Sequence, residues 1–269
     1  MSSTTKALEL LSLFSTARPE IGLSQLCRLA ERDKATTYRH LQSLESVGFV
    51  EQNPITRQYR LGPALMHLSQ VREITVPRKD GAKASMKALA DATGETAHVT
   101  VLSGTTLYGL CACESPHHTI RAVIDINIFP LHATASGLCA LAFGQPDIFD
   151  AAIANLEGFT ASTPNSRDEL ATLVEQIRET GFGRANKSYE DEIQGVAAPI
   201  FDHSEHLAGA VAVACVASRF TCDLEHTIKS ELIIAAREIT RNWGGKIPAQ
   251  ITASWNKTIA NTKVLEPEL

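Results

Sequence analysis

Cysteine and histidine side chains gather in one short stretch of the sequence. Cys111 and Cys113 are followed by Glu114, His117 and His118, and these are residue types that bind zinc. A Cys-x-Cys spacing in a strand, however, places both thiols on one face, which also suits packing in a core. Because a metal needs three or four converging ligands and the sequence shows only their nearness, the core is favoured and a metal site stays open as the alternative.

Covalent catalysis has no comparable support in the sequence. No motif sets a base beside any of the six cysteines, as a nucleophilic thiol would require. Ser136 stands in Ala-Ser-Gly and lacks the flanking residues of a hydrolase elbow. The sequence also has no Gly-rich phosphate loop followed by Lys. We therefore expect a binding protein rather than an enzyme, with no catalytic residues and no cofactor.

The overall composition is that of a globular protein. The chain has 269 residues, of which 44% are hydrophobic and 20% charged, enough for two domains of ordinary size. No apolar run approaches the roughly 20 residues that span a bilayer, and the first residues lack the order of a secretion signal. We therefore expect a cytoplasmic protein with no membrane partner and with reduced cysteines.

Charge is divided unevenly along the chain. Residues 1–80 carry 11 Lys and Arg against 8 Asp and Glu, whereas the remaining residues carry 14 against 22. The net charge of −5 therefore averages a basic part and an acidic part. A basic module joined to an acidic one is typical of a DNA-binding domain that carries a second domain.

Two amphipathic helices are predicted at the start of the chain. Thr5 is the candidate N-cap of the first, which ends before Arg18. Ser24 is the candidate N-cap of the second, over residues 25–30, in which Leu26 and Leu29 face inward. The apolar stripe of the first helix consists of Ala7, Leu8, Leu10, Leu11 and Phe14.

A third helix is predicted from Lys34 to about Val47. Leu41, Leu44 and Val47 recur at i, i+3 and i+6, which gives the helix a buried edge. Gly48 follows as a C-terminal cap would.

A hairpin is predicted directly after the third helix, with strand-like runs at 49–52 and 58–61 around a turn. The order helix, helix, helix, hairpin is typical of a winged helix-turn-helix, whose third helix enters the major groove. An inert packing unit or a protein-interaction domain could have the same elements. The predicted DNA contacts are Ser24, Lys34, Thr36, Thr37, Tyr38, Arg39, His40, Gln42, Arg57 and Arg60.

This N-terminal part resembles a known family. Three segments carry the resemblance: Gly-Leu-Ser-Gln-Leu-Cys at 22–27, the stretch 34–50 with its Leu-Glu-Ser-Val-Gly-Phe-Val end, and Tyr-Arg-Leu-Gly-Pro at 59–63. Together they resemble the DNA-binding half of the IclR family of transcription regulators. The resemblance implies a helix over about 62–72 that links two domains and takes part in dimerisation.

The rest of the sequence predicts a mixed α+β domain with an antiparallel core, following a break at 74–81. The predicted strands are 96–102, 106–113, 119–124, 195–201 and 207–216. The predicted helices are 82–92, one that begins at Thr134 or Ser136, one capped by Ser166 that runs to Glu179, and 222–243.

Two segments here resemble the effector-binding half of the same family, namely 129–143 and 195–202. The implied fold is a winged helix-turn-helix followed by a GAF-like (profilin-like) domain, in which a curved sheet carries a pocket closed by loops. The expected boundaries are 1–61 for the DNA-binding domain, 62–80 for the linker helix and linker, 81–245 for the effector-binding domain and 246–269 for a polar tail.

The helix start after Pro130 is the predicted ligand platform. Small residues there leave backbone N–H groups approachable, and the helix dipole favours an anion. Tight packing of a helix start would select the same small residues, so that alternative stays open. In the family the effector rests on these amides, which correspond to Ala135, Ser136 and Gly137.

The resemblance also implies the walls of the pocket. Arg121 lies on the predicted strand 119–124, at a position that the family directs into the pocket, where it would clamp a carboxylate unless it points to solvent. His118 and Phe129 correspond to walls beside it. Ala212 and Ala214 stand where members that bind small keto-acids often have serine, so the floor suits a ligand with an apolar body.

Taken together, the sequence predicts an IclR-like repressor or activator. It would bind a double-stranded DNA operator as a homodimer or dimer of dimers and respond to a small organic acid, with aromatic acids among the candidates. Two other classes stay open: an enzyme tethered to a DNA-binding module, and an interaction adaptor whose pocket is filled by its own side chains.

Overall fold

The computed structural model describes residues 2–15, 17–75, 77–124 and 127–263. The chain forms two compact units, Met1–Pro77 and Arg78–Leu269. Their boundary falls inside the predicted break at 74–81, of which Val76 lies outside the described residues. No helix in the described ranges is long and apolar enough to cross a membrane.

The first unit is a winged helix-turn-helix, as predicted. Its core contains Leu10, Ile21, Leu26, Leu41 and Tyr59. Its elements are α1 (Ser3–Glu9), α2 (Leu23–Leu29), α3 (Lys34–Ser46), the antiparallel strands β1 (Val50–Gln52) and β2 (Tyr59–Leu61), and α4 (Ala64–Thr75).

The first two helices begin earlier than predicted. Ser2, rather than Thr5, caps α1, because its hydroxyl accepts a hydrogen bond from the Thr5 amide at 3.0 Å. The predicted N-cap Ser24 lies inside the first turn of α2, and the N-cap position belongs to Gly22. Leu29 is 38% exposed rather than inward-facing.

The third helix has the predicted length but a different buried edge. Asp33 caps it by accepting the Thr36 amide at 2.9 Å, which lowers the pKa of the Asp33 carboxyl. Leu41 and Leu44 are buried as predicted, but Val47 is 57% exposed because it follows the last helical residue. Gly48 then takes φ +73°, the left-handed conformation expected after a helix end.

The second unit is built on a five-stranded antiparallel sheet. The strands are β3 (Thr96–Ser103), β4 (Thr106–Cys113), β5 (Gly183–Asn186), β6 (Ile193–Phe201) and β7 (Leu207–Val216), in the order β4-β3-β7-β6-β5. The helices are α5 (Arg78–Thr93), α6 (Ala135–Phe143), α7 (Pro146–Ile153), α8 (Arg167–Thr180), α9 (Cys222–Asn242) and α10 (Ala249–Lys263).

Alternation along β7 divides the sheet into two covered faces. Val211 and Val213 belong to a core that also contains residues of α5 and α9, whereas Ala210 and Ala212 pack with residues of α6 and α8. Since alanine is small, α6 can approach the sheet closely on the second face. This face carries the cleft described below.

Two predictions for this unit are wrong. Residues 119–124 form no strand, and they lie in an irregular stretch between β4 and α6. The predicted polar tail contains α10, whose Trp255 is fully buried against Phe182 and donates its indole N–H to the Gly181 carbonyl at 2.8 Å. The end of that tail, residues 264–269, lies outside the described residues.

Candidate functional site

The exposed face of α3 presents the polar side chains predicted to meet DNA. Lys34, Tyr38 and Gln42 recur at i, i+4 and i+8, and all three are exposed. Gln42 donates an amide hydrogen bond to the Tyr38 hydroxyl at 3.0 Å, which holds these two side chains together on the surface. Arg39 is also exposed, and Thr36 is half-buried. The face offers donors, acceptors and positive charge, as readers of base edges and phosphates require.

Two of the predicted DNA contacts face the core instead. Thr37 is fully buried and its hydroxyl donates to the Asp33 carbonyl at 2.9 Å. His40 is buried, with its Nε2 3.2 Å from the Ser3 hydroxyl, and burial lowers the pKa of its imidazole. Both belong to the inward stripe with Leu41 and Leu44, so their assignment to DNA was wrong.

The hairpin carries its two predicted arginines on the surface. Arg57 is exposed and takes φ +59° at the end of the turn. Arg60 donates to the Glu51 carboxylate at 2.6 Å and lies 3.6 Å from that of Glu20, and the hydrogen bond with Glu51 raises the pKa of Arg60. Ser24, although not a cap, is exposed on α2.

A narrow cleft opens in the second unit between the sheet and the start of α6. Its empty volume is about 530 Å³, open solvent at the mouth included. Most of its lining is apolar, and Glu190 is an exposed carboxylate at its edge. The lining residues are His98, Ala122, Val123, Ile124, Phe129, Ala133, Thr134, Ala135, Ala185, Ser188, Tyr189, Glu190, Ile193, Gly195 and Ala214.

His98 is the polar centre of this cleft, and sequence reasoning missed it. Its ring stacks on Phe129 with centroids 5.1 Å apart, and its Nε2 lies 3.2 Å from the Ser136 hydroxyl. Its Nδ1 is buried and has no hydrogen-bond partner among the described residues. Burial lowers the pKa of His98 to about 4. A single histidine within the apolar run of β3 was the available signal.

The start of α6 is partly capped by the protein itself. Thr134 is the N-cap and its hydroxyl accepts the Gly137 amide at 3.0 Å. A Cβ at Gly137 would stand 2.4 Å from the Pro130 carbonyl, so this glycine is needed for close backbone packing rather than for a ligand. Within the described residues, the amides of Ala135 and Ser136 have no hydrogen-bond acceptor. Packing therefore accounts for Gly137, whereas a ligand platform at the amides of Ala135 and Ser136 stays a prediction.

Arg121 and His118 do not line the cleft. Arg121 donates from Nε to Glu114 at 2.7 Å and from a terminal nitrogen to the Thr119 carbonyl at 3.3 Å. His118 lies 3.8 Å from the carboxylate of Glu95. Because 119–124 is not a strand, no pleat directs Arg121 inward, and its guanidinium contacts Glu114 and the Thr119 carbonyl instead of the cleft.

The two predicted alanines of β7 are both buried but differ in position. Ala214 lines the cleft next to Gly195, its partner on β6. Ala212 pairs with His98 across β3 and β7 and packs with the core on the α6 face rather than lining the cleft. Phe129 is buried and forms a wall, as predicted.

The potential metal ligands of the cysteine and histidine stretch do not converge in the described part of the chain. Cys111 and Cys113 are half-buried on β4 against the core shared with α5. Among the residues that the structure describes, no group of three or more potential ligands converges to hold a metal ion. Packing therefore accounts for the Cys-x-Cys spacing.

Comparison with known proteins matches both units. The model of the bacterial transcriptional regulator IclR C-terminal domain matches residues 76–241, and that of the IclR helix-turn-helix domain matches residues 3–54. The transcriptional regulator XynR of Escherichia coli K12 is 28% identical over 223 residues, 81% of this chain and 87% of XynR. KdgR of the same organism is 26% identical over 253 residues, 91% and 93% of the two chains.

Solved structures agree with this match. An IclR transcriptional regulator from Silicibacter sp. TM1040 is 36% identical with a TM-score of 0.88, covering 93% of this chain and 99% of that one. An IclR homologue from Microbacterium hydrocarbonoxydans, solved with 4-hydroxybenzoate, is 21% identical with a TM-score of 0.72, covering 90% and 99%.

With these matches, a winged helix-turn-helix joined to a second unit that contains a cleft defines a DNA-binding transcription regulator with an effector-binding domain. The chain belongs to the IclR family.

Proposed function

We propose that this regulator binds its operator through α3 and the hairpin, and that a small organic acid in the cleft changes operator affinity. The observation that carries the proposal is the cleft itself, a mostly apolar space whose lining includes His98, a residue with a buried imidazole nitrogen that has no partner among the described residues. A pocket with apolar walls and a few polar groups is the usual form of a small-molecule site.

The DNA half of the proposal uses the exposed polar residues only. Arg39, Gln42 and Tyr38 would meet base edges, and Lys34 and Thr36 the neighbouring phosphates. Arg57 and Arg60 of the hairpin would follow the adjacent backbone. Winged regulators of this kind read two half-sites, which calls for a homodimer or dimer of dimers. DNA as the target implies a cytoplasmic protein.

The shared surface in a dimer is proposed to be α4. Four of its apolar side chains are exposed in the chain taken alone: Met66 (67%), Leu68 (49%), Val71 (44%) and Ile74 (80%). Solvent exposure of several large apolar groups on one helix is unfavourable unless a partner covers them.

The ligand half of the proposal follows from the lining of the cleft. Phe129 and Ile193 suit an apolar or aromatic body. A carboxylate would accept hydrogen bonds from the amides of Ala135 and Ser136 at the positive end of α6. The 4-hydroxybenzoate in the Microbacterium homologue supports aromatic acids as candidates here.

The test starts by selecting an operator from a random DNA pool with the full chain. Anisotropy titrations then measure operator affinity with and without benzoate, 4-hydroxybenzoate and phenylacetate, while calorimetry measures binding of each acid. The proposal predicts that at least one acid binds and changes operator affinity by about 5- to 150-fold, the usual size of allosteric coupling. Binding of an acid without any change in operator affinity would reject the regulatory role.

A further inference from the structure

The Nδ1 atom of His98 is a buried polar atom that nothing in the described chain satisfies. The His98 side chain is 6% exposed, lines the cleft, and lacks a hydrogen-bond partner at Nδ1. Buried polar atoms in native proteins are nearly always paired, so an unpaired one on a side chain that lines a cleft calls for an explanation. The other buried hydroxyls of the lining are engaged: Ser188 donates to the Ala133 carbonyl at 2.8 Å, and Thr134 to that of Pro130 at 2.9 Å.

The contact with Ser136 favours one of the two neutral tautomers of His98. The Ser136 hydroxyl is fully buried, and its one hydrogen-bond partner among the described residues is Nε2 of His98 at 3.2 Å. A buried hydroxyl is best satisfied when it donates its hydrogen, so the favoured arrangement has Ser136 donating to Nε2, with Nε2 as the unprotonated, accepting nitrogen. In a neutral imidazole the proton is then on Nδ1.

The ring is neutral under ordinary conditions. Burial lowers the pKa of His98 to about 4, and its surroundings are the Phe129 ring on one side and the small residues of β7 and α6 on the other. In the Nδ1–H tautomer, the lining of the cleft therefore contains a neutral N–H donor rather than a positive charge.

We propose that the Nδ1–H of His98 donates a hydrogen bond to an oxygen of the bound effector, which makes His98 the residue that selects ligands with an acceptor oxygen beside the Phe129 wall. This inference rests on the proposed function, because it assigns a role within the same cleft. Ser136 acts through His98 as a positioning residue. The ligand class is an organic carboxylate, since a carboxylate can accept from Nδ1–H and from the nearby helix-start amides together.

Two isosteric substitutions separate ligand recognition from a structural role. The amide nitrogen of Asn is bonded to Cγ, as Nδ1 of His is. His98→Asn therefore keeps an N–H donor at the position of Nδ1 but loses the contact with Ser136. Gln carries its amide one bond further out, so His98→Gln keeps a partner for Ser136 and loses the donor toward the cleft. A purely structural His98 would tolerate Gln better than Asn, whereas recognition of a ligand requires the reverse order.

Calorimetry with benzoate, 4-hydroxybenzoate and phenylacetate provides the test, on full-length proteins with native circular dichroism. We expect His98→Asn to bind the best acid within about threefold of wild type, and His98→Gln to bind it at least about tenfold more weakly, equivalent to about 1.4 kcal/mol. Equal affinities in wild type and His98→Gln, or a weaker His98→Asn than His98→Gln, would overturn the inference and leave the proposed function intact.

The tautomer can be read in the free protein, independently of any acid. Two-bond ¹⁵N–¹H correlations of the imidazole should identify His98 as the Nδ1–H form, and Ser136→Ala should admit the Nε2–H form. An Nε2–H ring in the wild-type protein would overturn the donor assignment. Failure of all three acids to bind the wild type, with the Nδ1–H form present, would overturn the proposed function for these acids and with it the role of His98 in recognising them.

Discussion

Nε2 of His98 and Oγ of Ser136 lie 3.2 Å apart, joining the centre of β3 to the first turn of α6. This contact links the sheet to the start of α6, where Ala135 lines the cleft. The contact also contributes to the stability of the fold. Without the Ser136 hydroxyl, both ring nitrogens of the buried His98 would lack a hydrogen-bond partner. The free energy of unfolding of the second unit should therefore depend on the protonation state of His98.

Acid should destabilise the second unit through His98. Its pKa is about 4 in the folded chain and about 6.5 in an unfolded one. Between these values the unfolded chain binds a proton that the folded one does not, so stability present above pH 6.5 is lost as the pH falls toward 4. From pH 7 to 5 the loss attributable to His98 should be about 2 kcal/mol.

Urea unfolding followed by tryptophan fluorescence can measure this loss. Both tryptophans, Trp243 and Trp255, lie in the second unit. Their fluorescence therefore follows unfolding of that unit, and titration of His40 in the first unit does not contribute to it. His98→Gln is the control, because it retains every other titrating group. The same drop in stability from pH 7 to 5 in wild type and His98→Gln would show that the ring is not held neutral.

Arg39 and Leu41 are close in sequence, but substitution of the first should affect DNA binding and substitution of the second should affect stability. Arg39 is exposed on α3, whereas Leu41 is fully buried. Arg39→Ala should weaken operator binding by about 1–3 kcal/mol without affecting the fold, and Leu41→Ala should lower stability by about 2–5 kcal/mol. Anisotropy with the selected operator and thermal unfolding measure the two effects. Arg39→Lys distinguishes roles, since a phosphate contact survives it and a bidentate base contact does not. Unchanged operator affinity in a folded Arg39→Ala protein would remove Arg39 from the DNA face.

The pair Glu95–Arg219 should be needed to hold the irregular stretch beside the cleft. Glu95 is 1% exposed and accepts two hydrogen bonds from Arg219, at 2.7 and 2.8 Å. Arg219 also donates to the Ile120 carbonyl at 3.0 Å. Arg219→Ala would leave a buried carboxylate without its main partner, so we expect a loss of about 3–5 kcal/mol in urea unfolding. Adding Glu95→Gln should restore part of it, because the uncompensated charge is then gone. No recovery in the double variant would mean that the lost packing, not the charge, matters.

The exposed apolar residues of α4 should control assembly. Val71→Glu should weaken dimerisation at least about tenfold, since a charge would be buried in the shared surface. Ile55→Glu is the matched control, because Ile55 is 90% exposed at the tip of the hairpin. Sedimentation velocity across a concentration series measures both. A wild type that is monomeric at micromolar concentration and still binds its operator fully would contradict the proposed dimer. Equal dimerisation of the two variants would show that α4 is not the interface.

Much of the fold could be predicted because its signals are local. The α3 start at Lys34, the Ser166 cap of α8 and the apolar runs of β6 and β7 each depend on residues close in sequence. The errors arose where contacts between residues far apart in sequence determine which side chains are buried. Trp255 is buried through its packing on Phe182 and its hydrogen bond to the Gly181 carbonyl, both far away in sequence. The sequence around Trp255 does not show these contacts, so α10 was taken for a tail.

The site was predicted less well for the same reason. The helix start at Ala135 could be found from its small residues, but Gly137 is there to pack on Pro130, which is a contact between backbones. Arg121 was assigned an inward direction from the family resemblance, on a predicted strand that does not form. His98 could be recognised only once the sheet and α6 had brought it to Ser136 and Phe129. Thr37 and His40 were misassigned because polarity alone does not tell which side of a helix faces water.

Blocking the cleft is the most direct test of the account. Ala214 is 4% exposed and lines the cleft, so Ala214→Leu should fill it while leaving α3 and the hairpin untouched. Operator affinity is measured by anisotropy for wild type and Ala214→Leu, with and without the acid that binds best. We expect the two proteins to bind the operator equally without acid, and only the wild type to change its operator affinity when acid is added. A folded Ala214→Leu protein that still responds to the acid at the same concentrations would contradict it, because the effector would then act from another site.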